Sequence, residues 1–301
     1  MAESQPLIAF LACKTTMPNS GERRGDAYEH DLMIAALQPA FEARGLDLRV
    51  IDWEDDLAAF DGVSLALLGS SWNYQDNHAA FLSKLDALEA CGILVCNSSK
   101  IARWNARKTY LRELANKGAR TIPTRWLDDV GRDEIKQAFA HFECEKLVVK
   151  RQIGAGAEGQ LIFGHATLPE DGWNYGHPAM LQPFLPAIAR EGELSFIFVD
   201  GEFCHALRKR AAPGEYRIQS LYGGKEENYA ASRDDIAQAA IVLGALPFPK
   251  PLYARIDMLR EGEKDLLVME AELVEPYLYP EQGPQLGPKL ANAIAKRISS
   301  Q

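Results

Sequence analysis

The sequence predicts an α/β region with a small parallel sheet over roughly the first hundred residues, followed by a longer part built on strand hairpins. Three observations carry that expectation. Apolar runs alternate with amphipathic helical stretches up to Cys96, a β-α-β rhythm that argues for parallel strands. A glycine-rich stretch, RQIGAGAEG at 151–159, lies between two apolar strand-like runs. Two more apolar runs, 253–259 and 266–273, flank a polar turn containing Gly262, which reads as an antiparallel hairpin.

Totals narrow the class. The 301 residues suffice for two or three compact lobes with their own cores. With 47% hydrophobic and 25% charged residues the chain reads as a globular, water-soluble protein. Its net charge of −9 comes without any basic run, which argues against a nucleic-acid partner. Cys13, Cys91, Cys96, Cys144 and Cys204 are odd in number and mostly in apolar surroundings, as expected of reduced thiols in the cytoplasm. No CxxC or Cys/His cluster suggests zinc. The start, MAESQPLIAFLAC, lacks a basic segment, and its apolar run is too short for a signal or a membrane span.

In chain order, 7–13, 46–51, 63–68 and 93–96 read as strands. Helices are expected over 26–44, ending at Gly45, and over 77–90, closed by Gly92. Parallel sheets place ligands beyond the carboxyl ends of their strands. Two loops fall there, 14–26 and 69–77, the second reading GSSWNYQDN. Ser71, Trp72, Asn73 and Tyr74 are therefore candidate substrate contacts, with a capped helix entry as the alternative. Asn105 is expected to cap a helix over 106–117 with Lys108 in its first turn, a position that also suits a surface lysine.

The run KLVVK at 146–150 is a strand ending in Lys150, followed by Gly154, Gly156 and Gly159 and a return strand at 160–163. A GxGxxG between two strands is neither a dinucleotide fingerprint nor a Walker loop. Glycines there let backbone N–H groups approach phosphate oxygens, although a surface hairpin gives the same pattern. An apolar strand breaks at Pro183, and 181–185 would suit an adenine slot. A hairpin follows over 193–209 around Asp200-Gly201, with Glu193 at its start, fit for ribose hydroxyls or for solvent. Arg217 lies on a short run into Gly223-Gly224, where a solvated arginine is the plainer reading. Helices are expected at 233–243, capped by Ser232, and at 290–298.

The hairpin at 253–276 carries the sharpest pattern. If its turn centres on Glu263 and Lys264, Asp257 faces Glu270 and Arg255 faces Glu272. One face then holds Arg255, Asp257, Glu270 and Glu272; the other holds Ile256, Met258, Met269, Ala271 and Leu273. Adjacent carboxylates repel and call for cations. Hard oxygens on rigid strands suit Mg2+, especially Mg2+ already holding phosphates, and the same face also suits solvent on an edge hairpin.

Lys108, Lys150 with its glycine hairpin, the 182–185 break, Glu193 and the Asp257/Glu270/Glu272 set occur in an order that resembles the ATP-grasp superfamily over about 99–276. That resemblance implies an ATP-grasp fold of two α+β lobes after the α/β N-terminal domain, with boundaries at 1–98, 99–185 and 186–301. The runs GSSWNY, WNARKTYLRELANKGARTIPT, KRQIGAGAEG and QPFLPAI further resemble the glutathione synthetase-like branch. Within it they resemble cyclo-ligases that form D-cycloserine from O-ureido-D-serine. The resemblance implies ATP and Mg2+, two ions, as cofactors. Lys108, Lys150 and the loop of Gly154, Gly156 and Gly159 would contact the phosphates. Gln182 and Leu185 would frame the adenine, and Glu193 would hold the ribose. Asp257, Glu270 and Glu272 would bind the metal, and Arg217 and Arg255 would neutralise the transferring phosphoryl group. Relatives are often homodimers. Four positions depart from the common pattern: Gln182 for glutamate, Arg151 for proline, Glu272 for asparagine, and Glu275-Pro276 for a small Ser/Thr-rich turn.

The implied activity is a ligase that activates a small-molecule carboxylate as an acyl phosphate for attack by an amine nitrogen, of a second molecule or of the same one. The alternatives are a small-molecule kinase on the same scaffold and a nucleotide-binding protein without catalysis.

Overall fold

A computed structural model of the chain describes residues 5–154, 159–212 and 223–300. The first region is the expected parallel sheet. Strands β1 (Leu7–Ala12), β2 (Asp47–Asp52), β3 (Val63–Ser70) and β4 (Leu94–Cys96) lie in the order β2-β1-β3-β4. Helices α1 (Tyr28–Glu42) and α2 (His78–Ala90) connect them. β1 is buried from Ile8 onward, as a central parallel strand covered on both faces must be.

Two short helices follow where one was expected. Ser98 caps α3 (Ser99–Asn105), and α4 (Tyr110–Asn116) begins only after a connector. Asn105 is therefore not an N-cap. Its amide is taken by another strand, donating to Ala271 O at 2.7 Å and accepting from Leu273 N at 2.9 Å. Lys108 lies in the connector, not in a helical first turn.

The next sheet is antiparallel. β5 (Arg125–Leu127), β6 (Lys146–Arg151), β7 (Leu161–Gly164) and β8 (Ala179–Pro183) lie in the order β5-β8-β6-β7, backed by α5 (Arg132–Phe142). β6 and β7 form the expected hairpin around the glycine stretch, with Val149 opposite Leu161. A one-turn helix, α6 (Ala187–Arg190), follows β8.

The third sheet has the order β11-β10-β9-β12-β13. Its strands are β9 (Glu193–Val199), β10 (Glu202–Arg210), β11 (Lys225–Asn228), β12 (Tyr253–Glu261) and β13 (Asp265–Glu272), and α7 (Arg233–Ala245) packs on it. The expected run through Arg217 and the expected phosphate contact at Gly156 lie outside the described residues. The last helix, α8 (Leu286–Ile298), starts four residues earlier than its apolar spacing suggests and runs back to the first region. Leu286, Leu290 and Ile294 are fully buried in the same apolar cluster as β1, β3 and α1.

Candidate active site

The β12–β13 hairpin has the expected register at its functional end: Arg255 pairs with Glu272 and Asp257 with Glu270. Nearer the turn the register slips by one residue, between Asp257 and Met258, so Met258 faces Val268. The predicted Met258–Met269 pair is replaced by a bulge at Met269. The third sheet adds groups that local sequence does not announce. β9 lies beside β12, which brings Ser195 opposite Asp257, and β10 brings Lys209 opposite Glu193.

These residues form a buried charge network. Arg255 Nε donates to both Asp257 oxygens at 3.1 Å, and its Nη1 donates to Tyr277 O at 3.0 Å. Its Nη2 pairs with Glu272. The Ser195 hydroxyl donates to Asp257 Oδ1 at 2.5 Å. Lys209 Nζ donates to Glu193 Oε1 at 2.7 Å and reaches Asp257 Oδ1 at 3.4 Å. Burial would raise the Asp257 carboxyl, but Arg255, Lys209 and Ser195 outweigh it and hold it at about 2. Burial lifts Glu272 to about 7 against the charge of Arg255, with Glu270 adding to the rise. Glu193 is likewise lifted to about 7 by burial against the charge of Lys209. The Tyr279 ring lies 5.3 Å from Lys209 Nζ and 5.6 Å from Arg255 Cζ, covering both cations.

The two candidate phosphate lysines reach this hairpin from different elements. Lys108 Nζ pairs with Glu270, whose charge outweighs burial and raises the ammonium above its ordinary value. Lys150, at the end of β6, has no hydrogen bond or ion pair among the described residues. Burial lowers its ammonium, Glu270 opposes that, and Lys108 adds to it. Of the loop glycines, Gly154 has φ +152° and Gly159 φ +68°.

The expected adenine wall is apolar. Leu185, Ile188 and Met269 pack against Ile122, Leu259 and Leu267. Gln182 is buried opposite Val148 and donates to Thr124 Oγ1 at 2.9 Å. The second oxygen of Glu193, Oε2, is buried without a hydrogen-bond partner among the described residues.

The loop after β3 divides. Ser71 is buried and donates to Leu11 O at 3.3 Å. Asn73 bridges Trp53 Nε1 at 2.7 Å and Glu54 at 2.9 Å, and Tyr74 is buried against Phe81. These three side chains serve the first region's own packing. Trp72 turns toward the hairpin, donating from Nε1 to Glu275 O at 3.1 Å, with the Arg24 guanidinium 5.2 Å from its ring centre. Burial, reinforced by Glu272 and Glu270, raises the Glu275 carboxyl well above the ordinary range.

A nucleotide with Mg2+ fits this donor set. Hard carboxylate oxygens stand in register on a rigid hairpin, and the partly buried Lys150, without an ion pair among the described residues, is near enough for Glu270 to act on its charge. Among the described residues no three His, Cys, Asp or Glu side chains converge as a ready metal cluster. Each hairpin carboxylate is instead engaged by Lys108, Lys209 or Arg255.

A family model described as the N-terminal domain of D-cycloserine synthetase DcsG matches residues 8–97. The cycloserine biosynthesis protein DcsG of Streptomyces lavendulae is 27% identical over 290 residues, covering 89% of this chain and 94% of that protein. Glutathione synthetase of Prochlorococcus marinus strain MIT 9313 is 26% identical over 223 residues, 71% of this chain and 67% of that protein. The crystal structure of D-cycloserine synthetase DcsG matches with a TM-score of 0.80 at 23% identity, over 97% of this chain and 99% of that one. The ATP-grasp ligase PsnB, solved with a phosphomimetic variant of its minimal precursor, Mg and ADP, matches at 0.66 and 16% identity, over 98% and 99%. The chain thus has an ATP-grasp fold along nearly its whole length, and in sequence it is similar to D-cycloserine synthetase and, over a shorter span, to glutathione synthetase.

Proposed function

We propose that this chain is an ATP- and Mg2+-dependent ligase that activates a small-molecule carboxylate as an acyl phosphate for attack by an amine nitrogen. The observation that carries the reading is the meeting of Lys108 and Lys150 with the Asp257, Glu270 and Glu272 face, from three separate parts of the fold. The likeness to D-cycloserine synthetase and glutathione synthetase supports it.

In this reading Lys108 and Lys150 hold phosphate oxygens, and Leu185 and Met269 wall the adenine beside Gln182. The free oxygen of Glu193 accepts a ribose hydroxyl. Asp257, Glu270 and Glu272 hold the Mg2+, two ions as the resemblance implies, which supplies charge neutralisation to the triphosphate. The substrate carboxylate attacks the γ-phosphorus in line and ADP leaves. The amine then attacks the acyl carbon, and phosphate departs with the bond electrons. Most of the protein's contribution is positioning and electrostatic stabilisation. Arg217 is assigned to the phosphoryl group with Arg255, whose guanidinium first has to exchange a carboxylate for it. Ser71, Asn73 and Tyr74 are reassigned to support of the loop, leaving Trp72 as its substrate-facing member. The five unpaired cysteines favour a cytoplasmic protein. A homodimer, as in many relatives, is readable by light scattering.

The test is an ATP-consumption and phosphate-release screen over D- and L-amino acids and small carboxylates, O-ureido-D-serine among them. Release of ADP and phosphate with one of them is expected. A stable phosphorylated product without free phosphate identifies a kinase instead. Nucleotide binding without turnover on any member identifies a non-catalytic binder. Asp257→Ala and Glu270→Ala abolish phosphate release in the proposed reading; unchanged release by either overturns the metal assignment.

A further inference from the structure

Gln152, two residues beyond Lys150, uses every N–H of its amide and backbone, and both of its oxygens, within a tight cluster. Its Oε1 accepts from Arg107 Nε at 3.0 Å and Nη2 at 2.7 Å. Its Nε2 donates to Leu127 O at 3.2 Å and Ala179 O at 3.0 Å. Its backbone N–H donates to Pro178 O at 3.0 Å, and its carbonyl accepts from Lys108 N at 2.8 Å. The side chain is 2% exposed. Only a glutamine-length amide serves here: a carboxylate cannot donate to the two carbonyls, and a cation cannot accept from Arg107.

The segment gripped by Gln152 at its middle is gripped again at both ends. Asn105 bonds the backbone of Ala271 and Leu273, and Ala271 N donates to Tyr110 Oη at 2.9 Å. Those backbone groups lie on either side of Glu272, and Ala271 adjoins Glu270. The connector from Asn105 to Tyr110 thus has both ends on the carboxylate strand and its middle, Arg107 and Lys108, on Gln152 at the root of the glycine-rich hairpin. Lys108 is held at its backbone by Gln152, and its Nζ meets Glu270.

We infer that the Arg107–Gln152 clasp is a positioning device that couples the glycine-rich hairpin to the carboxylate hairpin, setting the spacing of Lys108 and Lys150 over the nucleotide phosphates. The inference rests on the proposed ATP site. Gln152 and Arg107 touch no reacting atom in it; they act by holding the backbone from which both lysines project. Loss of the clasp frees the hairpin root from the connector, so the penalty falls on nucleotide affinity, because the two lysines must be brought together at the moment of binding.

The experiment is calorimetric titration of the full chain with Mg·ADP, paired with steady-state kinetics on the substrate found by the screen. Gln152→Met keeps the volume and removes both faces of the amide. It is expected to weaken Mg·ADP binding roughly tenfold or more, with KM for ATP rising by a similar factor and kcat at saturating ATP falling far less. Arg107→Ala is expected to give the same split more weakly, and the double variant no greater loss than Gln152→Met, since both changes break one clasp. Arg107 is half-exposed and tolerates removal, so it carries the test where Gln152→Met does not fold. Wild-type affinity for Mg·ADP in either variant, or additive losses in the double variant, overturns the inference. Failure of the unaltered chain to bind Mg·ADP overturns the nucleotide site itself and is read separately.

Discussion

His205 shows how a single residue reports on the wall of the site. It stands on β10, and its Nε2 lies 3.0 Å from Leu278 O, which can only accept, so that nitrogen carries the proton. The same wall segment supplies Tyr277 O to Arg255 and the Tyr279 ring over Lys209. Burial lowers the imidazole to about 4, against the effect of its backbone hydrogen bonds. The sign follows from the lowered value. As pH falls below the ordinary 6.5 the unfolded chain takes up a proton that the folded one refuses, so stability is full above that pH and is lost down to about 4. His205→Gln keeps a donor and removes the titration. The expected outcome is that the wild-type advantage in urea shrinks by about 3 kcal/mol between pH 7 and pH 4. A pH-independent difference would show that the imidazole charges freely in the fold. Nothing in the run EFCHALRKR distinguishes His205 or Lys209 from ordinary strand residues; their partners are far along the chain, Leu278 lying 73 residues from His205 and Asp257 lying 48 from Lys209. Arg255, Asp257, Glu270 and Glu272 were legible because their partners lie across one short turn.

At the scale of elements, alternation was a reliable guide except where the backbone departs from it. The hairpin register at Asp257 follows from counting outward from the turn, yet the bulge at Met269 does not, since one extra residue leaves the apolar and polar composition unchanged. The bulge has a consequence for the site. It frees Met269 from facing Met258, and the side chain packs instead with Leu185 and Ile188 on the expected adenine wall. Met269→Ala removes that wall's most adaptable member. KM for ATP should rise several-fold, by the roughly 1–2 kcal/mol that a partly buried thioether contributes, while KM for the carboxylate stays near its wild-type value. Equal rises in both would place Met269 in general packing, not at the nucleotide. The break between α3 and α4 was hidden for a related reason. Asn105 has the side chain of a helix cap, and its choice of the β13 backbone depends on a strand 166 residues away.

The whole molecule is closed by its last helix. The parallel sheet, the glycine hairpin and the carboxylate hairpin were all readable as units, whereas the return of α8 to α1 was not, because an amphipathic stripe states that a helix packs without naming its partner. Gly287 marks the crossing. A Cβ there would stand 2.5 Å from Ala36 O and 3.0 Å from Ala40 Cβ, so the two helices approach as closely as bare backbone permits. Gly244, near the end of α7, has nothing within 4 Å of the same added atom. The same substitution should therefore have opposite signs at the two sites. Gly244→Ala gains roughly 0.5–1 kcal/mol from helix propensity and a less flexible unfolded chain. Gly287→Ala has that gain too, but must push α8 off α1, an overpacking cost of typically 1–3 kcal/mol. Urea midpoints of the two variants test this directly, with Gly244→Ala above wild type and Gly287→Ala below it. If Gly287→Ala is as stable as wild type, α8 is not seated on α1. The wall segment with Tyr277 and Tyr279, strung between β13 and α8, would then have no fixed anchor at its far end. The geometry around Arg255 depends on that anchor, so the Gly287→Ala variant should also show weakened Mg·ADP binding in proportion to its loss of stability.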